Sequence, residues 1–104
     1  MYATTRRYTV QERRDKDAFT RDVRDNFLPL VSEIPGFVAY YAIDAGDKLE
    51  SVSVFETKEG AAESTRRAAD FVKQIRSAKL SKPEITEGEV AVHAEHAAGA
   101  GRAR

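Results

Sequence analysis

Between Leu49 and Ile75 the chain changes period. Leu49, Ser51, Ser53 and Phe55 alternate with Glu50, Val52, Val54 and Glu56, the two-residue period of a strand with unlike faces. Ala61, Thr65, Ala68, Val72 and Ile75 then recur every three or four residues, with Ala69 and Phe71 beside them, as on an amphipathic helix. One backbone conformation cannot serve both periods, so a strand must hand over to a helix near Thr57. Thr57 is placed to cap that helix, and Glu59 falls in its first turn, where the helix dipole favours an anion. The same succession occurs earlier. Tyr2, Thr4, Arg6, Tyr8 and Val10 alternate with Ala3, Thr5, Arg7 and Thr9. After a charged turn at Gln11–Lys16, the apolar positions are Phe19, Val23, Phe27, Leu30, Val31 and Ile34. Pro29 predicts a kink near Asn26–Leu28, because proline removes a donor and crowds the turn before it.

Pro35-Gly36 ends the first helix. A second strand is expected at Phe37–Ile43, joined through a hairpin loop at Asp44–Lys48 to the third. A fourth is expected at Ile85–Ala94, beyond Pro83 and strongest at Val90–His93. The order β-α-β-β-α-β with short connections is an α+β, ferredoxin-like arrangement. It predicts one four-stranded antiparallel sheet, in spatial order fourth, first, third, second, with both helices on one face. The 104 residues suit one domain over 1–96, and the Ala, Gly and Arg of 97–104 predict a flexible tail with nothing to bury. The helix-free face would carry Val52 and Val54, with Val90 and Val92 if the last strand keeps the same phase. An open apolar face usually means a partner, so a homodimer packed sheet to sheet is expected.

Composition removes several kinds of chemistry. With no cysteine, the chain offers no disulfide, no thiolate nucleophile and no Cys-based zinc or iron–sulfur site. Seventeen basic and seventeen acidic residues give zero formal charge, which provides no electrostatic reason to expect nucleic acid or an anionic membrane. Nothing reads as a signal peptide or a membrane span, so the expected location is cytoplasmic. No phosphate-cradling glycine loop is present, and neither serine of the third strand lies in a nucleophile elbow. His93 and His96 stand three apart on what reads as a strand end, where such residues face opposite sides, so no metal site is expected.

Arg6 shares a face with Tyr8. If that face looks toward the helices, its guanidinium needs either a cross-sheet Glu or Asp or the anionic oxygen of a ligand. Tyr8, Tyr40 and Tyr41 offer aromatic surface with a polar tip, suited to a flat phenolic ligand or to strand packing. Ser51 and Ser53 lie on the Phe55 side of the third strand, opposite the small Ala61 and Ala68 of the second helix. Small residues on both sides predict a cavity between sheet and helices, or a close approach of the two.

Three segments resemble the antibiotic biosynthesis monooxygenase-like family of dimeric α/β barrels. They are Ile34-Pro35-Gly36-Phe37, the run from Ser51 to Ala61 through Phe55-Glu56-Thr57, and Glu89-Val90-Ala91-Val92-His93. The resemblance implies a cofactor-independent monooxygenase-like enzyme acting on an aromatic or polycyclic substrate. The alternative is a non-catalytic, ligand-binding or stress-associated dimer. Ligand-binding roles then fall to Arg6, Tyr8, Tyr41, Ser51, Ser53 and Phe55, with Arg6 steadying an anion and Phe55 walling the pocket. The family's Trp at the end of the third strand is Phe55 here. Its His early in the second helix is replaced at Ser64-Thr65, and the Asn that haem-degrading members carry in the first strand is missing. These departures argue against haem degradation, and no cofactor is expected.

Overall fold

A central strand organises the sheet. β1 (Tyr2–Arg13) is flanked on one side by β3 (Lys48–Phe55), which pairs onward with β2 (Phe37–Asp44). Along its other edge β1 pairs first with β5 (Glu84–Glu89) and then, near its end, with a short β4 (Ala78–Leu80). All pairings are antiparallel, and with β5 as the expected fourth strand the spatial order is the one anticipated. The computed structural model describes residues 1–96, so the tail expected at 97–104 lies outside the described residues.

Three expectations need correction. First, the charged turn at Gln11–Lys16 begins later, because β1 continues to Arg13 through a bulge at Gln11 and takes β4 as a further partner. Charged residues mask this strand end, whose side chains are largely exposed or half-buried. Second, the first helix is not uniform. It consists of α1 (Lys16–Asp22), a π-helical turn at Val23–Phe27, and α2 (Leu28–Ser32). Asp15 caps its start by accepting from Asp17 N–H. The widened turn, where Leu28 N–H reaches back five residues to Val23, takes up the distortion expected of Pro29. Third, the last strand ends before its most apolar stretch. Tyr2 is opposite Glu89, and Val90 N–H donates to Met1 C=O at 2.8 Å. There β1 runs out of partners, so Val90–His93 lies beyond the sheet and Val92 is 89% exposed.

α3 (Lys58–Gln74) starts where expected, with Thr57 Oγ1 accepting from Gly60 N–H at 3.1 Å. The helices cover the face bearing Leu49, Ser51, Ser53 and Phe55, all buried, while Val52 and Val54 occupy the other face. Beneath the helices are two apolar clusters. One joins Phe27, Val31 and Ile34 to Phe55, Ala61 and Ala68. Phe55 there lies so close to α3 that a Cβ on Gly60 would come within 2.8 Å of its ring. The other joins Tyr8, Phe19 and Leu49, with Val10, Val23, Val72 and Leu80 around them. The β2–β3 hairpin turns at Gly46 (φ +91°), whose N–H is held by Asp44. Arg13 grips Asp44 with two bonds, at 2.7 and 3.2 Å, and holds its carboxyl below the usual carboxylate range. No helix among the described residues is long and apolar enough to cross a membrane.

Candidate functional site

The pairing register aligns a polar row across the helix-facing side of the sheet. Arg6 of β1 is opposite Ser51 of β3, and Ser51 is opposite Ala42 of β2; one rung away, Thr4, Ser53 and Tyr40 align in the same way. α3 lies above them and supplies Ser64, Thr65 and Ala68. Between this row and the helices is a cavity of about 280 Å³. Its sheet wall includes Arg6, Tyr8, Tyr40, Ala42, Leu49 and Ser51, and its helical wall includes Phe19, Val23, Phe27, Ala68, Phe71 and Val72. Exposed Thr20, Arg24 and Ile43 form part of its rim.

Arg6 is only 1% exposed. Its Nη2 donates to Ser53 Oγ at 2.8 Å, and its Nη1 donates to Ser64 Oγ and Thr65 Oγ1, both at 3.3 Å. Ser64 is able to accept because its own proton is given to Ala61 C=O at 2.7 Å. Among the described residues no carboxylate forms an ion pair with Arg6, and its Nε–H has no partner. Ser51 Oγ, buried beside it, also lacks one. The cross-sheet Glu or Asp considered for Arg6 is therefore replaced by three hydroxyl groups, which hold a cation in place without neutralising it.

Burial lowers the Arg6 pKa, an effect opposed mainly by Tyr8 and Tyr40. A guanidinium starts from so high a value that it stays charged. Burial pushes both phenols the other way. Tyr8 is raised, and Tyr40 is raised to about 12, with the charge of Arg6 opposing the shift in each case. Both tyrosines are therefore neutral donors at physiological pH.

Of the residues singled out from the sequence, Arg6, Tyr8 and Ser51 line the cavity. Ser53 lies behind Arg6 and positions it. Phe55 is fully buried in the cluster with Ile34 and Ala61, away from the cavity wall. Tyr41 is on the opposite face and 59% exposed, whereas Tyr40 points inward. The cause is a bulge at Val38. Phe37 is opposite Phe55, but Ala39 is already opposite Val54, so the inward phase moves from odd to even positions of β2. His93 and His96 lie beyond β5 and do not line the cavity. Sequence reasoning also passed over Ser64 as a partner for Arg6. Its position three after Ala61 and four before Ala68 puts it on the buried stripe, which was the available signal. Among the described residues no group of three His, Cys, Asp or Glu side chains could hold a metal ion.

No family model matches the sequence, and no curated protein does so. Solved structures do share its fold. A protein of unknown function, NE2512 from Nitrosomonas europaea, superposes with a TM-score of 0.68 at 20% identity, covering 92% of this chain and 94% of its own. The monooxygenase of ActVA-Orf6 from Streptomyces coelicolor, solved in complex with nanaomycin D, gives 0.67 at 11% identity over 92% of each chain. SnoaB, a cofactor-independent oxygenase from Streptomyces nogalater, gives 0.62 at 15% identity, over 88% of this chain and 94% of its own. The chain thus shares the ferredoxin-like fold of these proteins.

Proposed function

We propose that the chain is a cofactor-independent monooxygenase-like enzyme, acting as a homodimer on an aromatic or polycyclic substrate with an ionisable phenol or enol. The observation that carries this reading is the buried guanidinium of Arg6, held by hydroxyl groups, unpaired with any carboxylate of the described residues, on a residue that lines an apolar cavity. Such a cation is costly to bury without a countercharge, and a bound oxyanion supplies one. The cavity is near the lower end of the ~300–1,000 Å³ usual for small-molecule sites, which favours a few fused rings over a larger skeleton.

In this reading Phe19, Phe27 and Phe71 enclose the flat rings, and Arg6 holds the ionised oxygen with Tyr8 and Tyr40 as neutral donors. An enolate so held is electron-rich at its ring carbon, which gives an electron to dioxygen. The two radicals combine to a peroxide, and loss of water leaves a carbonyl. In net terms a ring CH₂ and O₂ become C=O and H₂O. The protein binds the anion and excludes bulk water, and both atoms of oxygen are accounted for without a resident cofactor. Dimerisation rests on the open sheet face, where Val52, Val54, Tyr41 and Ile43 form an apolar surface that no element among the described residues covers. A specific interface there would bury more than ~1,000 Å² in total.

The test is oxygen uptake with a panel of fused-ring phenols and anthrone-like ketones, in the presence of a metal chelator. Accelerated uptake that falls at least tenfold in Arg6→Met, about the loss expected for a hydrogen bond to a charged group, is the expected result. A chain that binds members of the panel without accelerating uptake would instead be a non-catalytic ligand-binding dimer. One observation favours that second reading: no histidine lines the cavity, and its two carboxylates, Asp44 and Glu50, are paired elsewhere.

A further inference from the structure

We propose that α1 is the door of the cavity, swinging on the π-helical turn at Val23–Phe27 and latched shut by the hydrogen bond between Ser77 and Asp22. The inference rests on the proposed function only in taking the cavity as the place a substrate must reach.

The three parts of the first helix are fastened very unequally. α2 packs against β2 and α3, and the π turn touches α3, whereas α1 has extensive backbone contact with the π turn alone. Its polar bonds are mostly local. Asp15 caps its start, Thr20 Oγ1 donates to Lys16 C=O at 3.1 Å, and Asn26 in the turn donates to Asp22 Oδ1 at 3.4 Å. Among the described residues a single side-chain hydrogen bond ties α1 to another layer. It is given by Ser77 Oγ, in the connection between α3 and β4, to Asp22 Oδ2. The remaining hold is the ring of Phe19, buried with Tyr8 and Leu49, with the Arg13 guanidinium 5.8 Å from its centre. Arg13 is itself anchored to the β2–β3 hairpin by Asp44 and Gly46 C=O, so it stays with the sheet when α1 moves.

The most lightly held segment is also the one that roofs the cavity. Phe19 and Thr20 of α1 line it, followed by Val23 and Arg24 of the turn. A segment with few buried contacts opens at a lower free energy than the core around it. The π turn interrupts the regular helix where α1 joins α2, which lets α1 rotate while α2 stays packed. The competing entrance is the seam between α2 and α3. It is closed by Arg67, which donates to Leu30 C=O at 2.8 Å and to Glu33 at 2.7 Å, beside the buried Val31 and Phe27.

The chain has no cysteine, so Ala68→Cys places one thiol on the cavity wall, at a residue only 4% exposed. Its reaction with dithiobis(nitrobenzoate), followed in rising sub-denaturing urea, reads the opening without any substrate. The result therefore stands whether or not the chain is an oxygenase. Labelling should be at least about tenfold slower than for an exposed thiol and nearly independent of urea, because a local opening exposes little surface. Ser77→Ala should speed it about tenfold, the loss of a hydrogen bond to a charged group. Arg67→Ala, which loosens the other seam, should leave it unchanged. Hydrogen exchange on chains without the thiol gives a second measure, which decides if Ala68→Cys fails to fold. Amides of Phe19–Asp22 should exchange faster than that of Val31, and faster again in Ser77→Ala. Labelling at the exposed-thiol rate, labelling with the urea dependence of global unfolding, no response to Ser77→Ala, acceleration by Arg67→Ala, or α1 amides that exchange only with the core would each overturn the proposal.

Discussion

The two ends of the space between sheet and helices are built from similar elements and do different things. At the Phe55 end, side chains from α2, α3, β2 and β3 form one buried cluster, in which Phe55 is fully buried and its ring lies close against Gly60. At the Tyr8 end, the same layers are held apart around Arg6, Ser51 and Ala68, and a cavity results. Burial and open space are thus divided along one helix–sheet interface. One end provides cohesion, which lets the other leave a charge unpaired and a space empty. Phe27, Tyr40, Ala68 and Phe71 border both regions.

The largest expected contrast comes from truncating one apolar residue at each end. Phe55→Ala should cost about 3–5 kcal/mol, as for other fully buried aromatics. Leu49→Ala should fall near the low end of the usual range, about 2 kcal/mol, because the space it opens joins an existing cavity. Denaturant unfolding measures both, and equal costs would break the comparison.

Gly60→Ala comes next, with a loss of about 1–3 kcal/mol, since its methyl group must displace the rigid Phe55 ring. Ligand-induced changes in melting temperature should survive it. Ala68→Leu sharpens the comparison from the other side. In a filled core the added bulk would cost about 1–3 kcal/mol, whereas here it should cost less than 1 kcal/mol and abolish the ligand response by occupying the cavity. A large stability loss with the ligand response intact would place the hollow elsewhere.

The smallest effect is a pH dependence. Tyr40 ionises at about 12 in the folded chain against an ordinary value of 10.0. Between those values the folded state binds more protons than the unfolded, so stability falls as pH rises through that window and is unaffected below it. Phenolate absorbance should include a late-titrating component from Tyr40, and Tyr40→Phe should remove that component and lessen the stability loss.

The sequence made some of this legible and concealed the rest for physical reasons. Strict alternation at Leu49–Phe55 identified the helix-facing residues, because one buried face forces the period. The same reasoning placed Arg6, Tyr8 and Ser51 on one surface. Alternation was not read for β2, where a single bulged residue, Val38, inverts the phase and turns Tyr41 outward and Tyr40 inward without a mark in composition. Sequence reasoning overextended the last strand because Val90–His93 has high strand propensity, yet a strand also needs a partner, and β1 ends at Tyr2. The hydroxyl cradle of Arg6 joins three elements, Ser53 on β3 with Ser64 and Thr65 on α3, and only the tertiary packing brings them together.

In the proposed function, Arg6 is kept free of a carboxylate partner so that it can hold a ligand's oxyanion. Replacing it by Met removes a buried charge and keeps the apolar stem, so the unliganded chain should be as stable as before or more stable. The decisive measurement is the melting temperature of the wild type and Arg6→Met with and without hydroxynaphthoquinone at about a hundredfold its dissociation constant for the wild type. That concentration stabilises a binding-competent native state by about 2.7 kcal/mol, which is several degrees for a domain of this size. That rise is expected in the wild type and none in Arg6→Met. The same rise in both, or a variant that loses stability while retaining its ligand response, would contradict it.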